Sequence, residues 1–271
     1  MVPSWKSRLR KELADSTERF AITNGLTYYR SCGEDPTILF PGEPTTSRHG
    51  NFNDESYAAI LANESWTDRL KKPHSQRRAL PENRREDAKE LDSSNSSDAL
   101  LMNCFCYPKA AERILRDCLH TTPSGSVEFG VDGKVPRRNG KPDTTELDMR
   151  IGNIVCEAKL TELNFTSKCA KVVEEYRDLD DVFDPSLLSS VEGKYENYQL
   201  IRNVLAAAEH EYHFVLLCDG RRPDLLHQWW TVHAAIRYPD LRARSHFLLW
   251  QEVAEACPAP LREYLHEKYG L

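Results

Sequence analysis

The chain has 271 residues, of which 40% are hydrophobic and 29% charged, a composition that builds a packed core and excludes global disorder. The formal net charge is −6 and the pI about 5.9, so contact with nucleic acid would have to rest on local basic patches and not on overall charge. No run of about 18 apolar residues occurs, which excludes a membrane-spanning helix, and the opening Met1-Val2-Pro3-Ser4-Trp5-Lys6 holds no apolar signal segment. The expected location is the cytoplasm, with no membrane partner. Eight cysteines fit that setting as free thiols, several of them in apolar runs. Cys104-Phe105-Cys106 is too closely spaced for an ordinary zinc half-site.

Residues 1–92 are polar and rich in turn signals such as Pro36, Pro41-Gly42, Pro44 and His49-Gly50-Asn51. Helical patterns fall near 5–20 and 56–70, and residues 71–91 are nearly all charged or polar. This part is expected to be an irregular N-terminal extension wrapping a core formed by residues 93–271. The run Asp92-Ser93-Ser94-Asn95-Ser96-Ser97 reads as a linker ending in a helix N-cap. Apolar residues at helical spacing then predict a helix over 99–119, kinked or split at Pro108.

A short strand is expected at 126–131, followed by a basic Gly/Pro-containing loop over 137–143. Two further strands are predicted at 146–151 and 154–160, and the Gly152-Asn153 pair between them reads as a tight hairpin turn. Helices are expected at 167–176 and 195–210, a strand at 213–218, a helix at 223–236 and a strand at 245–250. A final helix over 251–269 is expected to break around Pro258–Pro260. The sum is an α/β or α+β chain with a mixed central sheet of four to five strands flanked by helices.

The hairpin carries the chemistry. Side chains alternate along a strand, so Glu157 and Lys159 share one face of the second strand. Pairing around the Gly152-Asn153 turn brings Asp148 beside Glu157 or within a one-residue register shift of it. Two carboxylates held together repel one another unless a cation sits between them. Magnesium accepts a few carboxylate oxygens plus waters, and manganese can stand in for it. An adjacent lysine can orient or deprotonate the attacking water, or stabilise developing charge. The competing reading is a hairpin with a cross-strand Glu–Lys ion pair and no chemistry.

The segment Asp148, eight residues, then Glu157-Ala158-Lys159, set among these elements, resembles the PD-(D/E)XK nuclease superfamily and its restriction-endonuclease-like fold. Ser96–Asn103, Glu157–Glu162 and Tyr198-Gln199-Leu200-Ile201-Arg202-Asn203 further resemble a group of bacterial restriction-endonuclease-like proteins. The resemblance implies a metal-dependent endonuclease acting on DNA, with Asp148 and Glu157 as magnesium ligands and Lys159 assisting the water. It also implies an acidic residue upstream, for which Glu128 and Glu112 are candidates, and a glutamine on the following helix, matched by Gln199. Asn103 is a weaker candidate for the same cleft. The literal Pro142-Asp143 pair lies too far from Glu157 for a short hairpin, so Asp148 is preferred. Arg137, Arg138 and Lys141 are expected to contact phosphates, with Lys71-Lys72, Arg77-Arg78, Arg84-Arg85 and Arg221-Arg222 as further basic clusters. Cutting both strands of a duplex commonly calls for two active sites, which points to a homodimer. The alternative is a catalytically silent nuclease-fold module that binds DNA or protein.

Overall fold

Apolar residues recurring every second position form strands, and those recurring every third or fourth form helices. The computed structural model of the chain describes residues 4–32, 35–42, 48–74, 80, 82, 86–122 and 124–271. In chain order its elements begin α1 (Trp5–Thr23), β1 (Tyr29–Arg30), β2 (Ile38–Leu39), α2 (Asp54–Leu61), α3 (Glu64–Arg69), α4 (Ser97–Cys106) and α5 (Ala110–Leu119). Next come β3 (Val127–Asp132), β4 (Glu146–Ile151), β5 (Ile154–Ala158), β6 (Lys168–Cys169), α6 (Ala170–Val173), α7 (Leu179–Val182), β7 (Ser190–Val191) and β8 (Lys194–Tyr195). The chain closes with α8 (Tyr198–Glu209), β9 (His213–Cys218), α9 (Pro223–Ala235), α10 (Pro239–Ala243), β10 (Ser245–Leu249), α11 (Trp250–Ala256) and α12 (Ala259–Tyr269). Among the described residues no helix is long and apolar enough to cross a membrane.

The chain divides into two compact units, Met1–Pro123 with Leu249–Leu271, and Ser124–Leu248. The boundary expected at 92/93 therefore lies inside the first unit. There α1 packs on α12, α2 on α4, and α5 on α11. Pro108 does split the expected helix, and the 56–70 pattern likewise resolves into α2 and α3. The ammonium of Lys268 is fully buried and donates to Gly50 O (3.1 Å), Asn51 Oδ1 (2.8 Å) and Tyr264 Oη (2.9 Å). Burial pushes this amine well below the usual lysine range, while the three acceptors and the rings of Phe20, Phe40, Tyr264 and Tyr269 favour its charge.

The second unit is built on a mixed five-stranded sheet in the order β10-β9-β5-β4-β3. β4 runs antiparallel to both of its neighbours, β3 and β5, and β9 joins β5 in parallel. The parallel pairing requires a long crossover, and this one carries the small sheet β6-β8-β7 and helix α8. Residues 167–176, expected as one helix, instead hold β6 and the single turn α6. Thr166 is left-handed with φ 57°, and Lys168 and Cys169 pair with Tyr195 and Lys194. Pairing with a distant strand has overridden local helical spacing. The short α10 was not expected from the sequence.

The turn between β4 and β5 depends on Gly152, at φ +56°, where an added Cβ would lie 2.3 Å from the carbonyl oxygen of Ser124. Gly152→Ala is expected to destabilise the protein by about 1–3 kcal/mol through backbone strain and that clash. A urea unfolding curve unmoved by the substitution would contradict this.

Candidate active site

The hairpin register sets the site. Met149 pairs with Cys156, Arg150 with Val155 and Ile151 with Ile154, and continuing that register by one step sets Asp148 opposite Glu157. On the other side of β4, Phe129 pairs with Met149 and Val131 with Leu147, so Gly130 falls opposite Asp148. Gly130 has φ 64° and brings no side chain against the carboxylate. Asp148 is half-buried, and its Oδ2 accepts from the backbone N–H of Ala158 at 2.8 Å.

Glu157 is only 1% exposed and Lys159 5%. The Lys159 ammonium lies 2.7 Å from Glu157 Oε1 and above the Phe165 ring at 5.7 Å. Its backbone N–H donates to Leu217 O at 2.8 Å, extending the β5/β9 ladder beyond the strand end. Burial works against the lysine charge, but the carboxylates of Glu157, Glu162 and Asp148 outweigh it and hold the ammonium above the ordinary lysine range. Lys159 is therefore a cation at neutral pH.

Two residues to which the sequence assigned no part in the site complete its surroundings. Asn203 Nδ2, fully buried on α8, donates to Glu157 Oε2 at 2.6 Å. The clue was the polar pair Arg202-Asn203 set between apolar residues of the helix, one turn after Gln199. Arg222, expected as half of a basic surface pair, is fully buried. Its guanidinium donates to the carbonyls of Leu160 (3.3 Å), Glu162 (2.9 Å) and Leu163 (3.2 Å) and is paired with Asp224 at 2.8 Å. It fixes the loop that follows Lys159. Within that loop Glu162 Oε2 accepts from Leu160 N at 2.6 Å.

The other candidates have positions and partners of their own. Gln199 is half-buried on α8. Glu128 pairs across strands with Arg150 at 2.5 Å. Arg137 is bound to Asp143 at 2.6 Å and Arg138 to Asp180 at 3.1 Å, while Lys141 is exposed. Lys71 and Lys72 are paired with Asp68 and Asp98. Arg77, Arg78, Arg84 and Arg85 lie outside the described residues. Glu112 is exposed on α5, and Asn103 serves the first unit, donating to Asn51 O and Ala99 O.

Asp143 is a structural hub. Its carboxylate accepts from Thr145, from Tyr176 Oη (2.6 Å) and from Arg137, and lies 3.3 Å from Tyr198 Oη. Burial acts to raise its pKa, but the hydrogen bonds from Thr145, Tyr176 and Arg137 prevail and hold it well below the usual carboxylate range.

Among the described residues no three His, Cys, Asp or Glu side chains converge as a ligand cluster. A metal at Asp148 and Glu157 would thus have two protein carboxylates and complete its shell with water. That donor set fits magnesium, which keeps several waters and tolerates few protein ligands.

A mixed five-stranded sheet flanked by helices, with Asp148 opposite the Glu157-x-Lys159 strand, defines a restriction-endonuclease-like fold. The family described as restriction endonuclease associating with ARP matches residues 16–270, and the chain belongs to that family. No curated protein and no solved structure matches the chain.

Proposed function

We propose that this protein is a magnesium-dependent endonuclease that hydrolyses DNA phosphodiester bonds at the Asp148, Glu157 and Lys159 site. The observation that carries the reading is the Lys159 ammonium 2.7 Å from the Glu157 carboxylate, on a hairpin whose other strand carries Asp148 bonded to the backbone N–H of Ala158. Asp148 and Glu157 hold the cation, with manganese as a substitute. When bound, the metal neutralises phosphate charge and acidifies a water. Lys159, charged at neutral pH, donates to the attacking water and orients it, and its charge stabilises the phosphorane-like transition state. Gln199, one turn before Asn203 on α8, and Glu128 support the site from its margins.

Arg137, Arg138 and Lys141 contact the DNA backbone, the two arginines exchanging their carboxylate partners for phosphate. Such contacts give salt-sensitive affinity with little sequence choice. A homodimer would supply the second site for a double-strand cut. Eight free cysteines support a reducing, cytoplasmic setting.

The test is cleavage of plasmid and single-stranded DNA with magnesium or manganese and with EDTA, comparing wild type with a Glu157→Ala/Lys159→Ala double variant. Metal-dependent cutting by wild type alone is the expected result. DNA binding without cutting by either protein would favour the silent binding module.

A further inference from the structure

We propose that Asn203, locked by Arg202 in one amide orientation, is a positioning residue for Glu157 and thereby sets the protein's affinity for its catalytic cation, an inference that rests on the nuclease reading above. Asn203 has 0% exposure and lies on α8 between Arg202 and Val204. Its Nδ2 donates to Glu157 Oε2 at 2.6 Å. Its Oδ1 accepts from Arg202 Nε at 3.0 Å and from Nη2 at 2.8 Å. A guanidinium has donors only, so Arg202 decides which end of the amide faces which neighbour. The flipped amide would set NH₂ against the guanidinium and oxygen against the carboxylate, repulsive on both sides.

Arg202 is anchored in turn. It is buried, and its Nη2 also donates to the carbonyl of Glu146 at 3.0 Å, at the start of the strand that carries Asp148. A continuous polar chain thus runs from β4 through Arg202 and Asn203 to Glu157 on β5. Glu157 is contacted at both oxygens, by the Lys159 ammonium as an ion pair at Oε1 and by a hydrogen bond from Asn203 at Oε2. A carboxylate held at both ends needs no reordering when it takes a cation on its remaining lone pairs, and partners of this kind strongly affect metal affinity.

A buried asparagine also contributes to stability, so the experiment must separate the two roles. The full chain and its Asn203→Ala, Arg202→Lys and Val204→Ala variants are titrated with Mn²⁺ by calorimetry and melted thermally. Cleavage kinetics at varied metal concentration follow. Asn203→Ala should weaken Mn²⁺ binding about 10- to 100-fold, with kcat and metal half-saturation changed and the KM for DNA unchanged. Arg202→Lys, which keeps the charge but not the fork, should lose less in the same direction and serves if the alanine variant does not fold. Val204→Ala, buried one residue on, should lower the melting temperature without changing Mn²⁺ affinity. If wild type binds Mn²⁺ and cuts DNA while both polar variants bind it as tightly, the positioning role is overturned and the nuclease reading stands. The positioning role is equally overturned if Val204→Ala loses affinity in proportion to its stability. If wild type neither binds Mn²⁺ nor cuts DNA, the nuclease reading falls and this inference falls with it.

Discussion

Lys159→Ala is expected to cut DNA about 10²- to 10⁴-fold more slowly, the usual contribution of a group that manages the proton or charge of the attacking water. The variant should also be less stable. Lys159 and Glu157 are both buried and lie 2.7 Å apart. Removing one member of a buried pair leaves an uncompensated charge, at a cost of about 3–5 kcal/mol. The pH dependence distinguishes this from a simple cavity. In the wild type the lysine pKa is raised above its ordinary value near 10.5, so its stabilisation is fully present below that pH and is lost only as pH rises through the folded value. Thermal melts should therefore show a stability gap between wild type and variant that holds up to about pH 10 and shrinks as pH rises beyond the ordinary lysine value, with magnesium restoring part of the loss. Cleavage at the wild-type rate would sink the assignment of Lys159.

The second large effect is expected at Arg222. This fully buried guanidinium holds three carbonyls of residues 160–163 and the carboxylate of Asp224. Arg222→Ala leaves those carbonyls without their donors and Asp224 without its counter-ion. A loss of about 1–3 kcal/mol follows from the charge-assisted bonds removed, together with cleavage lost at temperatures where the variant remains folded. Denaturant midpoints and activity at 10–20 °C give the two readouts. Arg222→Lys should recover only part of either, because one ammonium cannot span the fork. A variant with near wild-type midpoint and activity would show that the 160–163 loop holds Lys159 without the arginine.

The hairpin was the legible part of this site. Period-two alternation on both sides of Gly152-Asn153 fixes which residues face each other, and Asp148 meets Glu157 where that pattern places it. The split at Pro108 was equally local, since a ring without an N–H interrupts a helix whatever surrounds it. Asn203 was not legible as a partner of Glu157, because helical spacing assigns it a face and says nothing of what that face meets. The 167–176 segment failed for the same reason. Its partner, Lys194-Tyr195, lies beyond any local window. Nor could composition show that the polar N-terminal region shares a unit with α11 and α12, at the far end of the sequence. The basic loop shows the limit of reading charge alone, since Arg137 and Arg138 are both paired with carboxylates in the folded chain.

The parallel seam between β5 and β9 has a kinetic consequence. The hairpin that aligns Asp148 and Glu157 closes a turn of two residues, Gly152 and Asn153, and such local contacts form within microseconds. The backbone bond from Lys159 to Leu217 and the docking of α8 must first close a much longer loop, whose entropy is lost before any contact compensates for it. On refolding, the carboxylates are therefore in register early, while the lysine and the amide that orders Glu157 arrive late. Recovery of the cleavage activity proposed above is then expected to lag the return of secondary structure.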